Sequence, residues 1–82
     1  MKLVLLPQAQ ADLDAIFDPV LSRVIRRLRL LERFPELGAR MVGPLSGYRS
    51  TVVDMFRIVY RVASRRTVEV AYIRHCSRAP IA

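Results

Sequence analysis

Tyr48-Arg49-Ser50-Thr51-Val52-Val53, Phe56-Arg57-Ile58-Val59-Tyr60-Arg61-Val62-Ala63 and Thr67-Val68-Glu69-Val70-Ala71-Tyr72-Ile73-Arg74 are three consecutive runs rich in β-branched and aromatic residues. Such side chains suit a pleated, half-buried surface, and apolar and polar positions in the runs tend to alternate with a period of two. Only Asp54-Met55 and Ser64-Arg65-Arg66 separate the runs. Connections that short join antiparallel neighbours, so the second half of the chain reads as a three-stranded meander.

Upstream of the meander, Gly43-Pro44, Ser46-Gly47 and Phe34-Pro35-Glu36-Leu37-Gly38 carry turn chemistry. Before them lie two helical patterns. Asp18-Pro19 offers an N-cap followed by a proline whose φ suits the first helical position. From there Leu21, Val24, Ile25, Leu28 and Leu31 form an apolar stripe, with Arg23, Arg26, Arg27 and Arg33 on the other faces. A first helix is expected from about Gln8 to Phe17, with Ala9, Leu13, Ile16 and Phe17 at helical spacing and Asp12 and Asp14 pointing elsewhere. Lys2 to Leu6 reads as a short buried strand, because Pro7 can open a helix but cannot donate to a ladder. The order β-α-α-β-β-β predicts an α+β fold. A helical hairpin would pack on one face of a small, mainly antiparallel twisted sheet, with the first strand at an edge of the meander. The opposite sheet face is left partly open.

A chain of 82 residues makes one domain, since two cores of half that size would each be short of burial. Hydrophobic residues at 52% and charged residues at 26% exclude a disordered chain. Lys and Arg number 14 against 7 Asp and Glu, a net charge of +7, and all the basic residues except Lys2 are Arg. A guanidinium grips phosphate with two parallel hydrogen bonds and stacks on bases, so the excess points to a nucleic-acid partner. Cys76 is the only cysteine, which excludes an internal disulfide and a paired-cysteine metal site and fits a reducing cytoplasm. Met1 to Leu6 is too short for a signal-peptide core, and no apolar run approaches the roughly 20 residues of a membrane span, so a soluble protein is expected. No metal or cofactor motif is present in the sequence.

Phe56-Arg57-Ile58-Val59-Tyr60-Arg61-Val62 resembles the signature strand of RelE/ParE toxins: an aromatic or His, Arg, two aliphatics, Tyr and a final Val. Ala11-Asp12-Leu13, Phe34-Pro35-Glu36-Leu37-Gly38, Leu45-Ser46-Gly47-Tyr48, and Val68-Glu69-Val70 leading to Ile73-Arg74-His75 resemble that superfamily in order and spacing. The likeness runs over nearly the whole chain. The short hairpin introduced by Asp18-Pro19 and the Leu-Ser-Gly-Tyr-Arg opening of the meander look more like RelE-type nucleases than ParE-type gyrase inhibitors, whose hairpin is usually longer. The resemblance implies a toxin of a type II toxin–antitoxin system that cleaves messenger RNA in the ribosomal A site without a metal or cofactor. It also implies a cognate antitoxin protein as partner, operator DNA contacted only as the toxin–antitoxin complex, and no membrane. Two alternatives stay open: a gyrase inhibitor that binds protein without a catalytic site, and a degenerate member that retains only its antitoxin.

Metal-free cleavage needs a group to move the 2′-hydroxyl proton and cations to stabilise a pentavalent phosphorus. Strand alternation turns Arg57, Val59 and Arg61 to one side and Ile58, Tyr60 and Val62 to the other, where the helices should lie. Arg57 stands where the resemblance places a catalytic arginine, and it is expected to stabilise transition-state charge. Arg49 stands where relatives often carry a basic residue; gripping phosphate and simple solvation are equally open to it. His75, the only histidine, stands where a subset of these nucleases uses His, and as a residue type histidine, with a pKa of about 6.5, suits acid–base work. Arg61, Tyr48 and Arg78 complete the expected substrate-binding set. Tyr48 and Tyr72 could stack bases, whereas Tyr60 reads as core. The chain departs from the family pattern at Cys76, where many members have Arg, and over Arg78 to Ala82, which carries no Tyr.

Overall fold

The computed structural model describes residues 1–77. Along the chain run β1 (Lys2–Leu5), α1 (Pro7–Asp14), α2 (Val20–Arg33), β2 (Ala39–Arg40), a 3-10 turn (Gly43–Leu45), β3 (Arg49–Val53), β4 (Phe56–Ser64) and β5 (Thr67–His75). They build an α+β fold with two helices on a five-stranded sheet of order β1-β5-β4-β3-β2. β1 runs parallel to β5, and every other pair is antiparallel. The expected meander therefore supplies the three inner strands. The addition is β2, a two-residue edge pairing Ala39 with Ser50 and Arg40 with Arg49 inside a stretch that reads as pure turn. No helix among the described residues is long and apolar enough to cross a membrane.

Pro7 opens α1, where its missing N–H costs nothing. Asp18 holds the start of α2 by accepting the Ser22 amide at 2.9 Å. α1 stops at Asp14, three residues short of the expected end: the Ala15 and Ile16 amides reach back to Asp12 and Leu13, and the chain then turns away. Ile16 thereby stays in the core, while Phe17, expected on the same stripe, is 79% exposed. Val24, Leu28 and Leu31 of α2 pack with Ala9 and Ile16 against Val53, Ile58, Tyr60, Val68, Val70 and Ile73 of the sheet.

A single irregularity decides which way the end of β5 faces. Val59 pairs with Tyr72 and Tyr60 with Val70, so Ala71 is left over as a bulge. One extra residue reverses side-chain parity beyond it. Val68 and Val70 point to the helices, and beyond the bulge it is Ile73, not Tyr72 or Arg74, that is buried with them.

The bulge also coincides with the end of β1, whose last pair is Leu5 with Val70. There the Ile73 amide is met by Asp12 Oδ2 at 2.9 Å, while Oδ1 accepts from Gln8 Nε2 at 2.9 Å. The carboxylate takes the place of a strand neighbour. Asp12→Ala should cost about 1.5–3 kcal/mol, the worth of a partly buried hydrogen bond to a charged group. Urea unfolding checks this, and a midpoint shift equivalent to less than about 0.5 kcal/mol would mean that water replaces the carboxylate without loss.

Tyr60 is fully buried, and its hydroxyl donates to the Pro35 carbonyl at 2.7 Å while accepting the Gly38 amide at 2.8 Å. Arg49 Nη1 donates to the Gly38 carbonyl at 2.8 Å, so the Phe34-to-Gly38 turn is tied to the sheet from both sides. Burial pushes the Tyr60 phenol above its ordinary value of 10.0, with the Gly38 amide and Arg49 pulling weakly the other way. A pKa raised on folding means the native state holds that proton more tightly than the unfolded chain. The contribution is fully present below about pH 10 and is lost as pH rises through the folded value. Urea midpoints measured upward from about pH 9 should fall beyond about pH 10, and this fall should be absent in Tyr60→Phe.

Candidate nucleic-acid interface

The strand register sorts the side chains of the face away from the helices into three rows across the sheet. Val52, Arg57 and Arg74 form the row nearest the Asp54-Met55 turn. Ser50, Val59 and Tyr72 form the middle row. Arg61, Glu69 and Val4 form the third, and Tyr48 lies against its end. Successive rows on one face are two residues apart, so the first and third arginine rows lie about 13 Å from each other.

Val59 points to this face yet is 0% exposed and does not belong to the main core. By register its neighbours on this face are Arg57, Arg61, Ser50 and Tyr72. In the third row Arg61 Nε donates to Glu69 Oε1 at 3.0 Å, and its guanidinium sits 5.7 Å from the Tyr48 ring centre. The Glu69 hydrogen bond and charge raise the Arg61 pKa further above its ordinary value. In the first row Arg74 stacks 5.7 Å from the Tyr72 ring centre. Among the described residues the ion pairs are Arg23 with Asp54 and Arg61 with Glu69, so neither Arg57 nor Arg74 has an acidic partner there. Beside Tyr48 a cleft of about 330 Å³ is lined by Arg40, Met41, Ser46, Gly47, Tyr48 and Arg49.

The expected site residues do not all meet. Arg57, Arg61 and Tyr48 share the open face. Arg49 does not: it pairs with Tyr60 across the β3–β4 ladder, which turns it to the helix side, where its guanidinium binds the Gly38 carbonyl. His75 is also on the helix side, opposite Phe56, with the two rings edge to face at 5.3 Å. Its Nδ1 accepts the Ser77 amide at 3.2 Å and lies 2.6 Å from Ser77 Oγ. The bulge at Ala71 is the reason, since without it His75 would share the face of Glu69. Arg78 lies outside the described residues. The residue that sequence reasoning misses is Arg74, which unbroken alternation from Val68 and Val70 would place on the helix side. The visible signal is the order Ile73-Arg74, apolar then charged, which breaks the period after Ala71. No three His, Cys, Asp or Glu side chains cluster as metal ligands among the described residues.

Residues 3–80 match the model of the ParE toxin of the type II toxin–antitoxin system parDE. This chain belongs to the ParE toxin family. It is the toxin component of a type II toxin–antitoxin system. Among solved structures, this ParE-family toxin is similar to the YoeB/ParE toxin from Agrobacterium tumefaciens, at 25% identity and a TM-score of 0.79 over 92% of this chain and 98% of that one. It shares its fold with the RelBE2 toxin–antitoxin complex of Mycobacterium tuberculosis, at 23% identity and a TM-score of 0.80 over 90% and 95% of the two chains. The intact RelBE complex of E. coli aligns at 16% identity and a TM-score of 0.77 over 94% and 98%. No curated protein matches the chain in sequence.

Proposed function

We propose that this toxin is an endoribonuclease that cuts messenger RNA in the ribosomal A site, using the open sheet face as its RNA platform. The observation that carries the reading is the set Arg57, Arg61, Arg74, Tyr48 and Tyr72 on one face, with Glu69 as the only carboxylate among the three rows. Single strands bind where cations track the backbone and aromatic rings receive the bases. Attack by the 2′-oxygen forms one bond to phosphorus as the bond to the 5′-oxygen breaks, and Arg57 offsets the charge that gathers on the non-bridging oxygens. Proton transfer falls to His75, whose Nδ1 is engaged by Ser77. Its place across the sheet from Arg57 limits it to RNA that runs over the sheet's end. A cognate antitoxin is the expected partner, drawn by the basic surface, which includes a hollow on α2 lined by Arg23, Arg26, Arg27, Leu30 and Val53. Operator DNA would be bound only by that complex, and the place of action is the cytoplasm.

A second reading, gyrase inhibition, is favoured by the ParE family match and by the separation of His75 from Arg57. The purified chain in a translating extract, with cuts mapped by primer extension, and the same chain in a gyrase supercoiling assay decide between them. Cuts within A-site codons with normal supercoiling support the nuclease. Intact messenger with blocked supercoiling overturns it.

A further inference from the structure

We infer that Arg74 is the second jaw of an anion clamp that, with Arg57, holds one phosphate of a nucleic-acid strand above the β4–β5 pair. The inference takes its ligand from the RNA reading above and adds a residue and a place.

Four observations converge. Arg57 and Arg74 are direct cross-strand partners, so two cationic side chains leave the same face of the sheet from opposed positions, a pairing that is unfavourable by itself. Neither has an acidic partner among the described residues, whereas Arg23 and Arg61 do. Arg74 Nε is buried and, among the described residues, has no hydrogen-bond acceptor. A desolvated donor is costly unless something accepts from it. Finally, the Tyr72 ring under the Arg74 guanidinium restricts its orientation. A phosphate supplies what the pair needs, since it offsets both charges and its oxygens accept from two guanidinium forks. The tyrosines on the same face suit the bases on either side of that phosphate. The site is therefore a phosphodiester seat with stacking surfaces beside it.

The test uses a short single-stranded RNA with 2′-methoxy groups, which cannot be cut, added to the full chain. Binding is followed by fluorescence anisotropy and by the Nε–Hε NMR signals of the arginines. The Arg74 signal should shift saturably. Arg74→Gln and Arg57→Gln should each weaken binding about tenfold, the worth of one charge-assisted contact, while Arg29→Gln on α2 should weaken it less than about twofold. The slope of log affinity against log salt should fall by about 0.7 for each lost phosphate contact. Arg74→Lys, which keeps the charge and loses the fork, should fall between wild type and Arg74→Gln and guards against misfolding of the neutral variant. An unmoved Arg74 signal, equal losses in all three glutamine variants, or a response to polyglutamate and not to RNA would each overturn the clamp. Because binding is read without cleavage, a wild type that seats this RNA yet cuts no messenger sinks the nuclease and leaves the clamp standing.

Discussion

Arg57→Ala should lower messenger cleavage on ribosomes about 10²–10³-fold, the usual loss when one preorganised donor to a developing oxyanion is removed. The side chain is exposed on the open face, in direct register with Arg74 and without an acidic neighbour among the described residues. Its removal breaks no ion pair among the described residues and takes away one of two opposed cations, so thermal stability should stay within about 0.5 kcal/mol of wild type or rise slightly. Arg57→Lys should recover part of the activity, since it restores a charge without the planar fork. Primer extension beside a melting curve separates the two effects. Undiminished cutting by folded Arg57→Ala would remove this arginine from the chemistry, and a large loss of stability would recast it as a structural residue.

Gly38→Ala should be the most destabilising small substitution in the chain. A β-carbon there would stand 2.7 Å from the Tyr60 hydroxyl, 2.8 Å from the Ser50 carbonyl and 2.8 Å from a Tyr60 ring carbon. Gly38 carries no left-handed backbone, unlike Gly43 and Gly47, so the demand on it is for space alone. Neither obstacle can give way cheaply. Ser50 is held in the β3 ladder, and moving the buried Tyr60 ring breaks hydrogen bonds to Pro35 and Gly38. Overpacking costs about 1–3 kcal/mol and two orphaned buried groups about 1–3 kcal/mol each, so a loss of roughly 3–9 kcal/mol is expected. That is a large part of a small domain's stability, and the variant should melt far below wild type or fail to accumulate. A shift of only a few degrees in the melting midpoint would show that the turn can move away from the sheet.

Much of the fold is legible in the sequence. The meander, the helical hairpin, the edge position of β1 and the core roles of Ile58, Tyr60, Val24, Leu28 and Leu31 follow from local periodicity and from proline and glycine placement. Alternation predicts Arg57 and Arg61 on the open face, and they lie there because the period of two holds along this part of β4. Arg49, Arg57 and His75 do not share one face. Arg49 is drawn to the helix side by its pairing with Tyr60, and His75 is turned there by the bulge at Ala71. A bulge is a property of two strands in register: the order Ile73-Arg74 marks a break in the period, but only the pairing with β4 shows that Ala71 is the residue skipped. Phe17 is exposed because the helix closes after Asp14, with the Ala15 and Ile16 amides on the Asp12 and Leu13 carbonyls, a stop that helical spacing does not announce.

By itself, then, the sequence determined the element order, the fold class and the basic character of the molecule, because these depend on near-neighbour patterns and composition. The tertiary structure alone decided which cations stand together. Side-chain parity is counted from strand to strand, so one unpaired residue, Ala71, turns Arg74 onto the platform beside Arg57 and His75 away from it.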